Sequence, residues 1–324
     1  MNPLTVQILV KNNESILESC LNSLSDLDCQ ILIGDLGCND NTIKICKDYG
    51  ADIYPLSLNN NLSKARNILI EKSNNKWNLF VEPHEILFQG SDLILNILKE
   101  KKSAYNCKIM QGDAVYRQIK LWNKDLNLKF ENPVFEELKT KDFKETEVIF
   151  ISGEKDNSLT FELCKKWMED QPLNNKAIYY FACCNLFQKN WNSFLNYADL
   201  YLHNEKDDES VSSVMTKYYY AMVKSYMMKD FSTAVQKIIE CISKKPLMAE
   251  FWCLLGDIYY EANEIEKAKS FYENAILLGS KRLKEDDYPI EISKYKSYPS
   301  KMIETCENLS LSSKNYSNRP NLAH

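Results

Sequence analysis

Residues 5–85 repeat one arrangement, in which an apolar segment of strand length ends in a polar cluster and a helical pattern follows. The apolar segments are residues 5–10, 31–33 and 77–81, and helical spacing occupies residues 16–24, 42–49 and 63–69. Strands that alternate with helices form parallel sheets. We therefore predict a doubly wound α/β sheet whose polar clusters meet at one edge, where such proteins bind ligands.

The composition is that of an ordinary globular protein. The chain has 324 residues, 44% hydrophobic and 26% charged, and this length favours two domains. The net charge is −5 and neither half is basic, which argues against nucleic acid as a partner. Eleven cysteines without a CxxC pair indicate a reducing compartment, and we expect a cytoplasmic protein. We expect neither a signal peptide nor a membrane span, because the apolar runs are far shorter than the ~20 residues of such a span.

The second half of the sequence is helical and repetitive. Strand-like segments within residues 104–151 give way, from residue 158 to about 277, to a repeat of 34–38 residues. The clearest copy follows the tetratricopeptide pattern of large and small residues, at Trp252, Leu255, Gly256, Tyr259, Ala268, Tyr272 and Ala275. A second copy contains Ala221, Tyr226, Ala234 and Pro246, and a weaker first copy contains Ala182 and Trp191. We therefore predict an α/β domain over 1–155, a tetratricopeptide-repeat helical solenoid over 156–309 and a disordered tail over 310–324.

The ordered combination of motifs resembles family-2 glycosyltransferases of GT-A fold that carry C-terminal tetratricopeptide repeats, a layout shared by peptide S-glycosyltransferases of bacteriocin pathways. The resemblance covers residues 4–309. It rests on a K-N-E-like loop at 11–14, an acidic turn at 35–42 and an S-x-A-R-N signature at 63–67. The family's D-x-D position reads Glu82-Pro83-His84-Glu85 here, and its H-E pair reads Phe135-Glu136.

The resemblance implies a role for each of these groups. A nucleotide-diphosphate sugar would be bound by the strand-end clusters and by an arginine fork suited to a pyrophosphate, namely Asn12, Glu14, Asp35, Asp40, Arg66 and Arg117. A divalent cation, Mn²⁺ or Mg²⁺, would be bound by Glu82, His84 and Glu85. Glu136 or Glu137 would be the catalytic base.

Each of these residues also has an interpretation that involves no ligand. Asp35 and Asp40 are typical turn residues, and Arg66 could be a solvated helix charge. His84 could lie on the surface, and Glu136 could pair with a lysine. Arg117 and the nearby Lys120 could reach the donor phosphates or be exposed strand charges.

The sequence therefore predicts a metal-assisted, inverting glycosyltransferase that uses a nucleotide sugar, with a UDP-sugar favoured. The acceptor would be a peptide, protein or glycan presented by the repeats, which could also form a homodimer. The alternative is a non-catalytic glycosyltransferase-like scaffold whose repeats bind a protein partner. A sugar-1-phosphate nucleotidyltransferase is disfavoured, because the sequence lacks a glycine-rich phosphate loop near the first strand.

Overall fold

The computed structural model describes residues 3–154, 157–282 and 288–317. The chain divides into two compact units between Leu173 and Asn174. The first unit is built on a mixed sheet and the second is almost wholly helical, which confirms the predicted fold class. The boundary predicted after residue 155 lies before helix α5, whereas the division of the structure lies after it.

The first unit contains ten strands and five α-helices among the described residues. Its strands are β1 (Leu4–Val10), β2 (Gln30–Asp35), β3 (Asp52–Pro55), β4 (Trp77–Phe80), β5 (Glu85–Gln89), β6 (Ala104–Gln111), β7 (Ala114–Asn123), β8 (Phe130–Glu131), β9 (Glu137–Leu138) and β10 (Lys144–Ser152). Its helices are α1 (Leu17–Ser23), α2 (Thr42–Asp48), α3 (Leu62–Lys72), α4 (Ser91–Ile97) and α5 (Ser158–Asp170). A 3₁₀ turn covers Lys124–Leu126.

The second unit contains α6 (Asn175–Phe187), α7 (Trp191–Asn204), α8 (Val211–Met222), α9 (Phe231–Lys244), α10 (Ala249–Glu261), α11 (Ile265–Gly279) and α12 (Ser297–Ser317). A π-helical turn, Val223–Met227, follows α8, and a 3₁₀ turn, Ile292–Tyr295, precedes α12. A two-residue strand, Ile290–Glu291, completes the described elements.

The main sheet of the first unit has the order β3-β2-β1-β4-β7-β6-β10-β5. The first four of these strands are parallel, as the alternation of strands and helices predicts. Every residue of β1 is buried, because helices cover both faces of a parallel sheet. Strand β7 is antiparallel to both β4 and β6 and begins the mixed part of the sheet.

The ends of the helices mostly follow the local sequence. Gly50 closes α2 with φ +67°, in the left-handed region that glycine adopts without strain. Helix α3 begins at Leu62, one residue before the helical spacing at 63–69 predicts. Its N-cap is Asn61, whose Oδ1 accepts from the N–H of Lys64 at 2.9 Å. Ser63 is therefore free for the contact described below.

The helices of the second unit pack as consecutive pairs, α6 with α7, α8 with α9 and α10 with α11. The small residues of the repeat pattern lie buried between them, including Ala182, Ala221, Ala234, Ala268 and Ala275. At Gly256 a Cβ would approach the ring of Tyr272 to 2.6 Å, so only glycine fits. The predicted helical repeats are confirmed by this packing.

Helix α12 runs from Ser297 to Ser317 and so enters the segment predicted as a disordered tail over 310–324. Residues 318–324 of that tail lie outside the described residues. Among the described helices none combines the length and the apolar character that a membrane crossing requires.

Candidate functional site

The sheet has a switch point between β1 and β4. The chain passes from β1 to β2 on one side, and it returns through α3 to β4 on the other side. Loops that follow two such strands diverge and leave a crevice at the carboxyl edge, which is where open α/β sheets bind ligands. Val10 pairs in register with Asp35, and the N–H of Val81 donates to the carbonyl of Gln7 at 3.1 Å. Asp35 ends β2 and Glu82 lies two residues beyond the end of β4, so they lie on either side of β1, about 10 Å apart at the usual strand spacing.

The loops that follow β1 and β2 are bonded to each other. Asn12 accepts from the N–H of Asn39 at 2.9 Å, and Oε2 of Glu14 accepts from the N–H of Asn41 at 2.8 Å. The N–H of Glu14 in turn donates to Oδ2 of Asp40 at 3.2 Å. Three predicted donor-binding residues, Asn12, Glu14 and Asp40, thus join two loops into one rigid rim of the crevice.

Asp35 shapes the second of these loops. Its Oδ1 accepts from the N–H groups of Gly37 and Cys38, at 2.9 and 2.8 Å. Gly37 has φ +90°, which a side chain would strain. The aspartate therefore forms the turn anticipated from its residue type, and its carboxylate lies half-buried at the strand end.

The pKa of the neighbouring Asp40 is below its usual value. Burial acts to raise it, but hydrogen bonds from Thr42 and from the N–H of Glu14 outweigh burial and stabilise the carboxylate.

Arg66, predicted to face a pyrophosphate, is buried between two acids. Its Nη2 donates to Oε1 of Glu82 and its Nε donates to Oε1 of Glu136, both at 2.6 Å. Its guanidinium lies 4.1 Å from the ring centroid of Phe80 and 5.4 Å from that of Phe130. Burial alone would lower the pKa of Arg66, but the charges of Glu82 and Glu136 outweigh it and raise the pKa.

A second buried cation, Lys120, pairs with Glu85, the other acid of the Glu82–Glu85 turn. Lys120 is 0% exposed, and its Nζ donates to Oε2 of Glu85 at 2.7 Å. The same Oε2 accepts from the N–H of Glu82 at 2.8 Å, which closes the turn. The Nζ of Lys120 is 4.1 Å from the ring centroid of Phe80. Neither interpretation made from the sequence, a phosphate contact or an exposed charge, describes Lys120.

We call Arg66, Lys120, Glu82, Glu85 and Glu136 the charged cluster. It contains three carboxylates and two cations, so its net charge is −1 when all five are ionised. Of the three acids only Glu82 is appreciably open to solvent, with 29% of its side chain exposed. Burial and the nearby charges of Glu85 and Glu82 raise the pKa of Tyr116 to about 12.

The S-x-A-R-N signature contacts the segment 130–136. Ser63 donates through its hydroxyl to the carbonyl of Asn132, and Asn67 exchanges two hydrogen bonds with the backbone of Phe130, at 2.8 and 3.0 Å. With the Arg66–Glu136 pair, all three polar members of the signature contact this segment. The sequence did not predict that Asn67 binds the Phe130 backbone.

The remaining predicted residues, Glu137, His84 and Arg117, are not members of the charged cluster. Glu137 begins β9 with 38% of its side chain exposed, and it accepts from Asn132 at 3.2 Å. His84 is half-buried, and its carbonyl accepts from the N–H of Gly153 at 2.8 Å. Arg117 pairs with Glu145 at 3.1 Å and donates to the carbonyls of Thr146 and Asn106, so its contacts are with β10 and β6.

The predicted ligands do not fit a divalent cation in this arrangement. Glu82 and Glu85 are already bound to Arg66 and Lys120, through oxygens that a hard cation would need. Within residues 3–154, 157–282 and 288–317, no group of three or more His, Cys, Asp or Glu side chains is placed to hold a metal ion.

A protein-family model matches most of the first unit. Residues 5–154 match the family model described as Glycosyl transferase family 2. No curated protein sequence matches the chain.

Three solved structures are among those that match this chain. S. aureus TarS 1-349 in complex with UDP-GlcNAc has a TM-score of 0.41 and 12% identity, covering 94% of this chain and 91% of that one. The Sgt2 TPR domain from Aspergillus fumigatus has a TM-score of 0.36 and 11% identity, over 47% and 89% of the two chains. MamA 41-end from Desulfovibrio magneticus RS-1 has a TM-score of 0.34 and 14% identity, over 47% and 84%.

Proposed function

We propose that the protein transfers a sugar from a nucleotide-diphosphate sugar to a peptide, protein or glycan acceptor, because residues 5–154 match the glycosyl transferase family 2 model. A UDP-sugar is the favoured donor. The observation that carries this proposal is the family match over the very residues that form the switch-point crevice. The loops after β1, β2 and β4 would bind the donor there.

The proposed reaction is a single displacement with inversion. A nucleophilic atom of the acceptor bonds to the anomeric carbon as the bond from that carbon to the diphosphate oxygen breaks. The acceptor's proton passes to a carboxylate, and the nucleoside diphosphate leaves with the electron pair. Glu136 and Glu137 are the candidate bases. Glu136 is oriented by Arg66, whereas Glu137 is the more exposed of the two.

The helical repeats would present the acceptor or join two copies of the chain. Stacked helix pairs form extended surfaces that suit long, irregular ligands such as peptides. The acceptor class and the homodimer both stay proposals.

The test begins with donor binding. Thermal shifts with a panel of nucleotide sugars, UDP-GlcNAc and UDP-glucose among them, should show a higher melting temperature with the correct donor. Asp35→Ala should abolish this shift, because the loop that forms one wall of the crevice would lose its turn.

Turnover of the bound donor then identifies the base. Glu136→Gln and Glu137→Gln should both still bind donor, and the variant that lacks the base should lose hydrolysis or transfer by about 10²- to 10⁴-fold. Glu71→Gln, an exposed position on α3, is the matched control and should match the wild type. Equal rates in all four proteins would reject both candidates.

The rival function, a non-catalytic scaffold, is favoured by one observation. Arg66 and Glu136 neutralise each other in a buried pair, which is also how a purely structural ion pair is arranged. A protein whose melting temperature no nucleotide sugar raises would be this scaffold, and its repeats would then be its functional part.

A further inference from the structure

The acids at the end of β4 each have a cation that belongs to the protein. Glu82 contacts Arg66 and Glu85 contacts Lys120, at 2.6 and 2.7 Å. Arg66 and Lys120 are 3% and 0% exposed, so neither can move into solvent without leaving a buried carboxylate behind. Together they contribute two positive charges, which is the charge of one divalent ion.

A common ring fixes both cations. The Arg66 guanidinium and the Lys120 ammonium each lie 4.1 Å from the centroid of Phe80, the last residue of β4. Cation–π contact in a desolvated site adds to the ion pairs. Arg66 is further held by Glu136, and Glu85 by the N–H of Glu82. The arrangement is therefore complete without an additional ion.

We propose that these two cations take the place of a divalent metal, so that this site binds no Mn²⁺ or Mg²⁺ and the donor is bound without one. We call the absence of metal binding the metal half of this inference and the metal-independent binding of the donor its donor half. The donor half rests on the proposed function. A metal entering at Glu82 or Glu85 must displace Arg66 or Lys120 from its carboxylate. At Glu85 this leaves the buried Lys120 ammonium unpaired, which lowers metal affinity by about 10²- to 10⁴-fold, whereas a displaced Arg66 keeps only Glu136 as its acidic partner.

The metal half is tested with Mn²⁺ alone on the full chain, with free Mn²⁺ measured by electron paramagnetic resonance. The wild type should show no saturable site. Arg66→Met removes the cation that Glu82 and Glu136 share and should gain saturable Mn²⁺ binding. Lys144→Met is the matched control, because it removes the cation from the exposed Glu100 alone and should gain none.

Circular dichroism melting establishes that each variant is folded. If Arg66→Met does not fold, Glu82→Gln decides the question in its place, because it removes a supposed ligand and leaves Arg66 paired with Glu136. A wild-type Mn²⁺ site that Glu82→Gln abolishes would overturn the inference. Unchanged Mn²⁺ behaviour in Glu82→Gln supports it.

The donor half is tested by calorimetric titration of UDP-GlcNAc and UDP, once in EDTA and once in Mn²⁺. Affinities that agree within about twofold support metal-independent binding. Binding that requires Mn²⁺ overturns the inference but leaves the proposed function standing. If neither these ligands nor any nucleotide sugar of the thermal-shift panel binds in either buffer, the proposed function is rejected and the donor half with it, and the Mn²⁺ titration still decides the metal half.

Discussion

At the scale of single residues, Lys120 shows how far a side chain's environment can depart from its type. A lysine between Ile119 and Leu121 is expected to be an exposed charge on a strand. The structure instead buries Lys120 completely, and its Nζ donates to Glu85. Charges buried in this way are stable only as pairs, because the desolvation of each ion is offset by the other.

We expect Lys120→Met to lower the free energy of unfolding by about 3–5 kcal/mol, because Glu85 would remain as an unpaired buried charge. Lys108→Met on the neighbouring strand removes only the more exposed pair with Glu147 and should cost less than about 1 kcal/mol. Urea denaturation measures both. The double variant Lys120→Met/Glu85→Gln should recover part of the loss, and equal losses in the two single variants would contradict the expectation.

At the scale of elements, α3 acts as a support for the segment 130–136. The signature residues on one side of this helix bond to Phe130, Asn132 and Glu136, and the N–H of Leu62 donates to the carbonyl of Pro133 at 2.7 Å. A candidate base is thus positioned by a helix that lies about seventy residues earlier in the chain.

Asn67→Ala should loosen this segment, since it removes both hydrogen bonds to the Phe130 backbone. We expect amide hydrogen exchange over residues 130–138 to become faster, while exchange in β1 stays unchanged. Glu71→Ala on the exposed side of α3 should have no such effect. Identical exchange in the two variants would show that α3 does not hold the segment.

Helix α9 begins with a cap that depends on pH. Oδ1 of Asp230 accepts from the N–H of Thr233 at 3.2 Å, and hydrogen bonds from Thr233 lower the pKa of Asp230 below its usual value. A carboxyl group with a lowered pKa in the folded state stabilises the fold above its unfolded pKa. That contribution disappears as the pH falls through the lowered value.

Asp230→Ala should therefore cost about 1 kcal/mol at neutral pH and less in acid. Asp230→Asn is the control, because asparagine caps a helix without titrating. Denaturation midpoints of the wild type, Asp230→Ala and Asp230→Asn, compared at neutral pH and at about pH 3, measure this loss of stability. A loss in Asp230→Ala that is the same at both pH values would rule out the carboxylate as its cause.

At the scale of the whole molecule, each unit has a core of its own. One large cluster is formed by β1, β4 and the helices beside them, and another by α8, α9 and α10. Since cooperative unfolding follows the packing of one core, the two units should unfold in two transitions that respond to different substitutions.

Gly256→Ala tests this separation. The added Cβ would meet the Tyr272 ring at 2.6 Å, and overpacking of this kind costs about 1–3 kcal/mol, more than the gain in helix propensity. Circular dichroism should show a change in the transition of the helical unit alone, and Lys120→Met should change only the other one. Ser270→Ala, exposed on the partner helix α11, is the control. One transition that both substitutions shift would contradict two independent units.

The sequence predicted the regular part of this molecule well. Apolar periodicity located β1, β2, β4 and the repeat helices. The pairing of Arg66 with Glu136 and of Lys120 with Glu85 could not be predicted in this way. These partners are 70 and 35 residues apart, and a local pattern does not show which side chains meet across a sheet. For the same reason the sequence did not predict the short strand β3 or the two hydrogen bonds between Asn67 and the Phe130 backbone.

The shared position of Arg66 and Lys120 on Phe80 has a consequence for protein engineering. Restoring an acidic triplet by Glu82→Asp and His84→Asp would add a carboxylate without removing either resident cation. Such a repair of the motif should therefore fail to confer cation dependence. A redesign would have to replace Arg66 and Lys120 by uncharged residues at the same time. The Phe80 ring would then have no cation to contact.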